Sequence, residues 1–234
     1  MLKNLDFISE RDLTEWVEQH LYSEKYALSS GYQGKTLLFD EHQHKLVIKV
    51  PLGNMLTRPI NLALLRHEYK VYQKLEGLRV IPVCYGMASN KYLVIEFIDG
   101  QTIRHQRPAT DSVFFIKLLS AITEMHQRGV AHFDLKRPEN LLVTKNEEPI
   151  IIDFGVSIIK KSGLNGLNLH WLNRFLYKLA LQFDYNAWAK HKYNKQMHLI
   201  NDEDKIFYRK TVVEIVSKKI KFFYRERFLK LFKQ

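Results

Sequence analysis

Two short runs hold most of the side chains that could do chemistry. They are His132-Phe133-Asp134-Leu135-Lys136-Arg137-Pro138-Glu139-Asn140 and Ile152-Asp153-Phe154-Gly155. Together they offer carboxylates, an amide, an ammonium and an imidazole. Such groups hold hard cations, orient protons and offset negative charge. The chemistry they suit is the positioning of a charged group rather than thiol-based catalysis. The single cysteine, Cys84, excludes a disulfide framework and a cysteine-ligated zinc site, and it fits a reducing compartment.

The elements that must position these groups can be read from spacing. Ser9 with Asp12 makes a capping pair, and Leu13, Trp16, Val17 and Leu21 fall on one face, predicting a helix over Ser9–His20. Lys25–Leu28, Thr36–Phe39 and Lys45–Val50 read as strands, with glycines between the first two. Asn61–Leu75 carries a helical apolar stripe of Leu62, Leu65, Tyr69, Tyr72 and Leu75. Strands are expected at Ile81–Tyr85 and Tyr92–Ile98, and a long helix at Asp111–Arg128 that stops at Gly129. Leu141–Val143 and Pro149–Ile152 read as short buried strands that flank the two polar runs. From Lys160 onward the pattern predicts helix throughout.

On these residues the chain resembles the protein-kinase superfamily. That family has a catalytic loop of the form H-R-D-x-x-x-x-N and a metal-binding D-F-G. The resemblance covers Lys25–Ile159 and implies a phosphotransferase that uses ATP and Mg²⁺ and delivers phosphate to a hydroxyl-bearing substrate. By it, Asp153 and Asn140 hold Mg²⁺, and Asp134 accepts or orients the proton of the attacking hydroxyl. Lys136 reaches the γ-phosphate, and His132 is a scaffold residue. Lys49, ending the apolar run Leu46-Val47-Ile48, matches the lysine that faces the α- and β-phosphates. Glu68, 19 positions on, matches its ion-pair partner. Ser29-Ser30-Gly31-Tyr32-Gln33-Gly34-Lys35-Thr36 fits a degenerate phosphate-covering loop, in which Gly31 and Gly34 let backbone N–H groups approach phosphate oxygens. Tyr92–Gly100 resembles the hinge, with Ile95 limiting the adenine pocket and backbone groups of Glu96 and Ile98 pairing with the adenine edge.

The sequence departs from the family in three places. Asp134 and Asn140 are six apart instead of five, with Arg137 or Pro138 as the extra residue. Phe133 replaces the arginine of H-R-D, which argues against switching by activation-loop phosphorylation. No A-P-E follows Asp153, and 79 residues remain after Gly155, too few for the usual activation segment and helical platform. A shortened helical part with a nearly complete nucleotide site is similar to the atypical bacterial kinases, the RIO-like proteins and the lipopolysaccharide sugar kinases of the Kdo-kinase type. Protein serine or threonine and a glycan sugar both stay open as acceptor.

The fold expected is α+β and bilobal, with a small antiparallel-sheet N-lobe and a shortened helical C-lobe. Residues 1–24 form a helical extension, 25–100 the N-lobe and hinge, and 101–234 the C-lobe with basic C-terminal helices. The alternative from another class is a pseudokinase or a membrane-recruited nucleotide-binding adaptor, although Lys49, Asp134 and Asp153 are all present. The composition, 46% hydrophobic and 26% charged, is that of a globular chain. No apolar run approaches a membrane span, and acids stand where a signal peptide would need an apolar stretch, so a cytoplasmic site is expected.

Charge is segregated. Residues 1–155 hold 19 basic and 19 acidic side chains, and residues 156–234 hold 17 and 6, so the whole +11 excess falls in the last third. Lys218, Lys219, Lys221, Arg225, Arg227, Lys230 and Lys233 alternate there with Ile215, Ile220, Phe222, Phe223, Phe228 and Leu231. A basic amphipathic helix of this kind either lies on an anionic membrane surface or packs its apolar stripe on the helical lobe and leaves its bases in water. No recognised RNA or DNA module accompanies it, which argues against a nucleic-acid partner.

Overall fold

The computed structural model describes residues 2–3, 5–31, 34–41, 43–161 and 169–211. Tyr32 at the tip of the glycine-containing loop, and the basic amphipathic tail from residue 212, lie outside the described residues.

Helix α1 (Glu10–His20) forms where the capping pair places it. The Ser9 hydroxyl accepts from the Asp12 N–H, and Leu13, Trp16 and Val17 are buried. Strands β1 (Ala27–Ser30), β2 (Gly34–Glu41) and β3 (His44–Pro51) follow, then helix α2 (Thr57–Lys74), β4 (Cys84–Ala88) and β5 (Tyr92–Glu96). The five strands make one antiparallel sheet in the order β1-β2-β3-β5-β4. Strand periodicity then decides which face each side chain meets. Leu37, Phe39, Leu46, Ile48 and Val50 pack with Leu13, Trp16 and Val17 of α1. Lys49, between Ile48 and Val50, is thereby sent to the opposite face, the one α2 covers with Leu65, Val71 and Tyr72.

The strand expected at Ile81–Tyr85 starts instead at Cys84. The Ile81 N–H closes a turn on Leu78 O at 3.1 Å, and Pro82 has no N–H for a ladder. β4 then extends to Ala88 through a bulge at Gly86, whose φ is +122°.

The chain passes through residues 97–99 to β6 (Gly100–Thr102), then α3 (Val113–Gln127), β7 (Val130–Ala131), β8 (Leu141–Thr144), β9 (Pro149–Ile151), β10 (Ile158–Ile159), α4 (Leu169–Lys192) and α5 (Asp202–Lys205). Ser112 caps α3 through the Phe114 N–H, and the helix stops before Gly129, whose φ of +75° only glycine adopts without strain. β6, β8 and β9 form a three-stranded sheet, and β7 pairs with β10. The helix expected throughout from Lys160 is interrupted. Asn194 and Lys195 take φ of 47° and 65°, ending α4, and the described chain beyond holds only a 3₁₀ turn at Met197–Leu199 and the short α5. Among the described residues no helix is long and apolar enough to cross a membrane.

Candidate active site

The sheet and α2 bring Lys49 and Glu68 together. Lys49 Nζ lies 2.6 Å from Glu68 Oε1 and 3.2 Å from Asp153 Oδ1. Glu68 belongs to the buried stripe of α2 and is 3% exposed, so an unpaired carboxylate there would be costly. Its Oε1 also accepts from the Phe154 N–H at 3.3 Å. Burial alone would push the Lys49 ammonium down, but Glu68 and Asp153 outweigh it and hold it above the ordinary lysine range. Burial likewise works against the Asp153 carboxylate, yet Lys49 reverses the effect and keeps Asp153 below its ordinary range. The lysine is therefore a fixed cation, held between two acids.

Asp153 reaches this place through a strained backbone, with φ +66°. Phe154 anchors it. Its ring is fully buried, 5.2 Å from that of Tyr72 on α2 and 4.9 Å from that of His132. His132 Nε2–H donates to Ile152 O at 3.0 Å, the structural part expected of it.

Asp134 sits in the turn that follows His132. Arg137 Nη1 lies 3.5 Å from Asp134 Oδ2, and Lys136 Nζ lies 4.0 Å from Oδ1. The extra residue of this loop is absorbed by two consecutive turns. The Arg137 N–H donates to Asp134 O at 3.2 Å, and the Asn140 N–H donates to Arg137 O at 3.1 Å. The Asn140 side chain, nearly buried, returns to Asp134 O through Nδ2 at 3.1 Å. That bond spends the amide nitrogen and leaves the amide oxygen as the group for a ligand.

A cleft cavity of about 580 Å³ is walled by Gly31, Gly34, Lys49, Glu68, Arg137 and Asp153, among others. The two glycines do different things. A Cβ on Gly34 would meet Val50 O at 2.4 Å, so glycine is required by the sheet beneath the loop. A Cβ on Gly31 would meet nothing within 4 Å, and its N–H closes the loop on Gly34 O at 3.0 Å. Glu96 and Ile98 do not line this cavity. They lie where the chain leaves the five-stranded sheet. The Glu96 N–H donates to Val83 O at 2.8 Å and its carboxylate accepts from the Val83 N–H at 2.9 Å, turning the side chain toward a second cavity of about 340 Å³ beside α2. Cys84 lines that second cavity, and burial pushes its thiol up to about 12, which favours the protonated form.

The sequence reading missed the residues that hold the His132–Asn140 loop from behind. Asp184, in the middle of α4, is fully buried. Its Oδ2 accepts from the His132 N–H at 2.7 Å and lies 3.0 Å from His126 Nε2. Its Oδ1 accepts from the Phe133 N–H at 2.8 Å. These bonds hold Phe133 in the left-handed region, φ +69°, while its ring packs against Phe183, 5.3 Å away. One helix-turn pair further on, His191 Nε2–H donates to Leu135 O at 2.8 Å. The available signal was an acid inside the mostly apolar segment Leu179–Trp188, where a charge is rarely buried without partners.

A protein kinase domain model matches residues 22–173, more than half of the chain. The chain belongs to the protein kinase domain family. Among curated relatives it is 31% identical over 141 residues to CBL-interacting protein kinase 28 of Oryza sativa subsp. japonica, covering 58% of this chain and 30% of that protein. It is 32% identical over 156 residues to calcium-dependent protein kinase 4 of Plasmodium falciparum (isolate 3D7), covering 58% of this chain and 29% of that one. With CDPK-related kinase 3 of Arabidopsis thaliana it shares 30% identity over 132 residues, 50% of this chain and 22% of the relative. The chain thus spans less than a third of these relatives' length. Within a protein kinase domain the donor set fits Mg²⁺: one carboxylate at Asp153 and one amide oxygen at Asn140, both hard oxygens. A bound Mg²⁺ would neutralise phosphate charge, while Lys49 would hold the inner phosphates and Asp134 would orient the acceptor hydroxyl.

Proposed function

We propose that this chain is an ATP- and Mg²⁺-dependent phosphotransferase that moves the γ-phosphate to the hydroxyl of a protein serine or threonine. The observation that carries the reading is the cleft itself. A lysine pinned by Glu68 and Asp153 shares a cavity with the glycine loop, and Asp134 stands one ion pair away through Arg137. Relatives whose names state protein kinase support the acceptor class. The short path from Gly155 to α4 supports instead a subtype resembling the RIO-like and Kdo-kinase-like proteins, for which a lipopolysaccharide sugar is the competing acceptor. Labelled ATP with a lysate split into protein and lipid-glycan fractions tests this. Label is expected in protein, and Asp134→Ala should cut transfer roughly 10²–10⁴-fold while sparing nucleotide binding. Label in the glycan fraction would reassign the acceptor. Unchanged transfer by Asp134→Ala would remove the catalytic assignment, and nucleotide binding with no transfer would favour the pseudokinase or adaptor reading.

The same reading places the kinase in the cytoplasm, peripheral on an anionic membrane face. Exposed Trp171 and Phe175 on α4 beside Arg174 and Lys178 support it, together with the basic residues of 212–234. Binding to vesicles containing anionic lipid should weaken with added salt and on removal of residues 205–234. Binding indifferent to both would reject the membrane partner.

A further inference from the structure

The loop between Asp134 and Asn140 is one residue longer than the family pattern, and the added residue has a defined place. The backbone of Arg137 is tied at both ends, its N–H to Asp134 O and its carbonyl to the Asn140 N–H. It therefore stands between the proposed base and a proposed metal ligand. Arg137 lines the cavity with Lys49 and Asp153, and its guanidinium contacts the Asp134 carboxylate at 3.5 Å. Lys136, the residue that the family pattern assigns to the γ-phosphate, behaves differently. Its side chain is 70% exposed and its ammonium is 4.0 Å from Asp134; like Asp134 and Asn140, and unlike Arg137, it does not line the cavity.

We propose that Arg137 takes over from Lys136 as the cation that binds the γ-phosphate. This rests on the nucleotide reading of the cleft. A guanidinium presents several N–H donors in a fixed fork that fits two phosphate oxygens, whereas an ammonium acts as a point charge. The Arg137 side chain is 60% exposed and its bond to Asp134 is long, so little holds it against a more highly charged partner. Transfer of the guanidinium from Asp134 to the terminal phosphate would also leave the aspartate free for the acceptor hydroxyl. The inserted residue thus couples the arrival of nucleotide to the release of the base.

The test compares equilibrium binding, with no turnover, of Mg²⁺-adenylyl imidodiphosphate and Mg²⁺-ADP to the full chain. Arg137→Ala should weaken the triphosphate analogue at least about tenfold and leave ADP unchanged. Lys136→Ala should change the ratio of the two much less, and Arg137→Lys should recover part of it. Both side chains are mostly exposed, and unchanged melting temperatures would confirm intact folding. An unaltered ratio in Arg137→Ala, a parallel loss for both nucleotides, or a larger change in Lys136→Ala would each overturn the assignment to Arg137. A wild-type chain that binds neither nucleotide would overturn the nucleotide reading, and this inference with it.

Discussion

Asp153 and Asp184 are chemically the same side chain placed in opposite circumstances. Asp153 stands at the cleft, 49% exposed, and shares Lys49 with Glu68. Asp184 is fully enclosed by α3, α4 and the catalytic loop, and its main partners are two backbone N–H groups and the His126 ring. The first arrangement can exchange its partners for phosphate and cation at little cost, because water already reaches it. The second cannot exchange anything, since every group released would be buried without a partner. Asp153 is thus the accessible carboxylate of the cleft, and Asp184 the inaccessible one that fixes the loop behind it.

Substituting each aspartate would break this comparison most sharply. Asp184→Ala is expected to lower the unfolding free energy by about 3 kcal/mol, because two loop N–H groups and an imidazole lose a charged acceptor. Asp153→Ala should stay within about 1 kcal/mol of wild type while abolishing phosphate transfer, since Lys49 keeps Glu68. Urea titrations of both variants measure it. A stability loss at Asp153→Ala equal to that at Asp184→Ala would show that the cleft is as much a structural element as the helix behind it.

The two regions also differ in how far the sequence reveals them. Lys49, Glu68, Asp134, Asn140 and Asp153 stand out because each is a polar residue fixed against an apolar strand or helix stripe, at intervals that recur in a family. The strand pairing around them follows from two-residue alternation, as in Leu37, Phe39 and Ile48. The brace is harder to see. Asp184 and His191 bond to main-chain atoms of His132, Phe133 and Leu135, more than fifty positions away, and backbone acceptors and donors leave no mark in side-chain pattern. β7 and β10 are two residues each and carry no periodicity. Arg137 or Pro138 could each be the extra residue by sequence, and that Arg137 lines the cleft depends on two turns that residue types alone do not fix.

A smaller effect tests whether the brace responds to pH where the cleft does not. His191 is buried against Leu135 O, and Arg107 donates to the His191 carbonyl at 2.7 Å. Burial is the main cause that holds its imidazole below the ordinary 6.5. The Leu135 carbonyl and Glu139 oppose that shift, and Arg107 and Lys195 add to it. A depressed folded-state value means that the unfolded chain takes up the proton first. The stabilisation is thus complete above about pH 6.5 and drains as pH falls toward the folded-state value, by at most about 1.4 kcal/mol per pH unit. Asp153 is also depressed, but from a carboxylate's range, so its contribution is lost only in stronger acid. His191→Gln keeps an N–H donor for Leu135 O without a titrating ring, and should flatten the stability profile as pH falls below about 6.5. Denaturation midpoints across that range decide it: parallel slopes for the variant and wild type would remove His191 as the source.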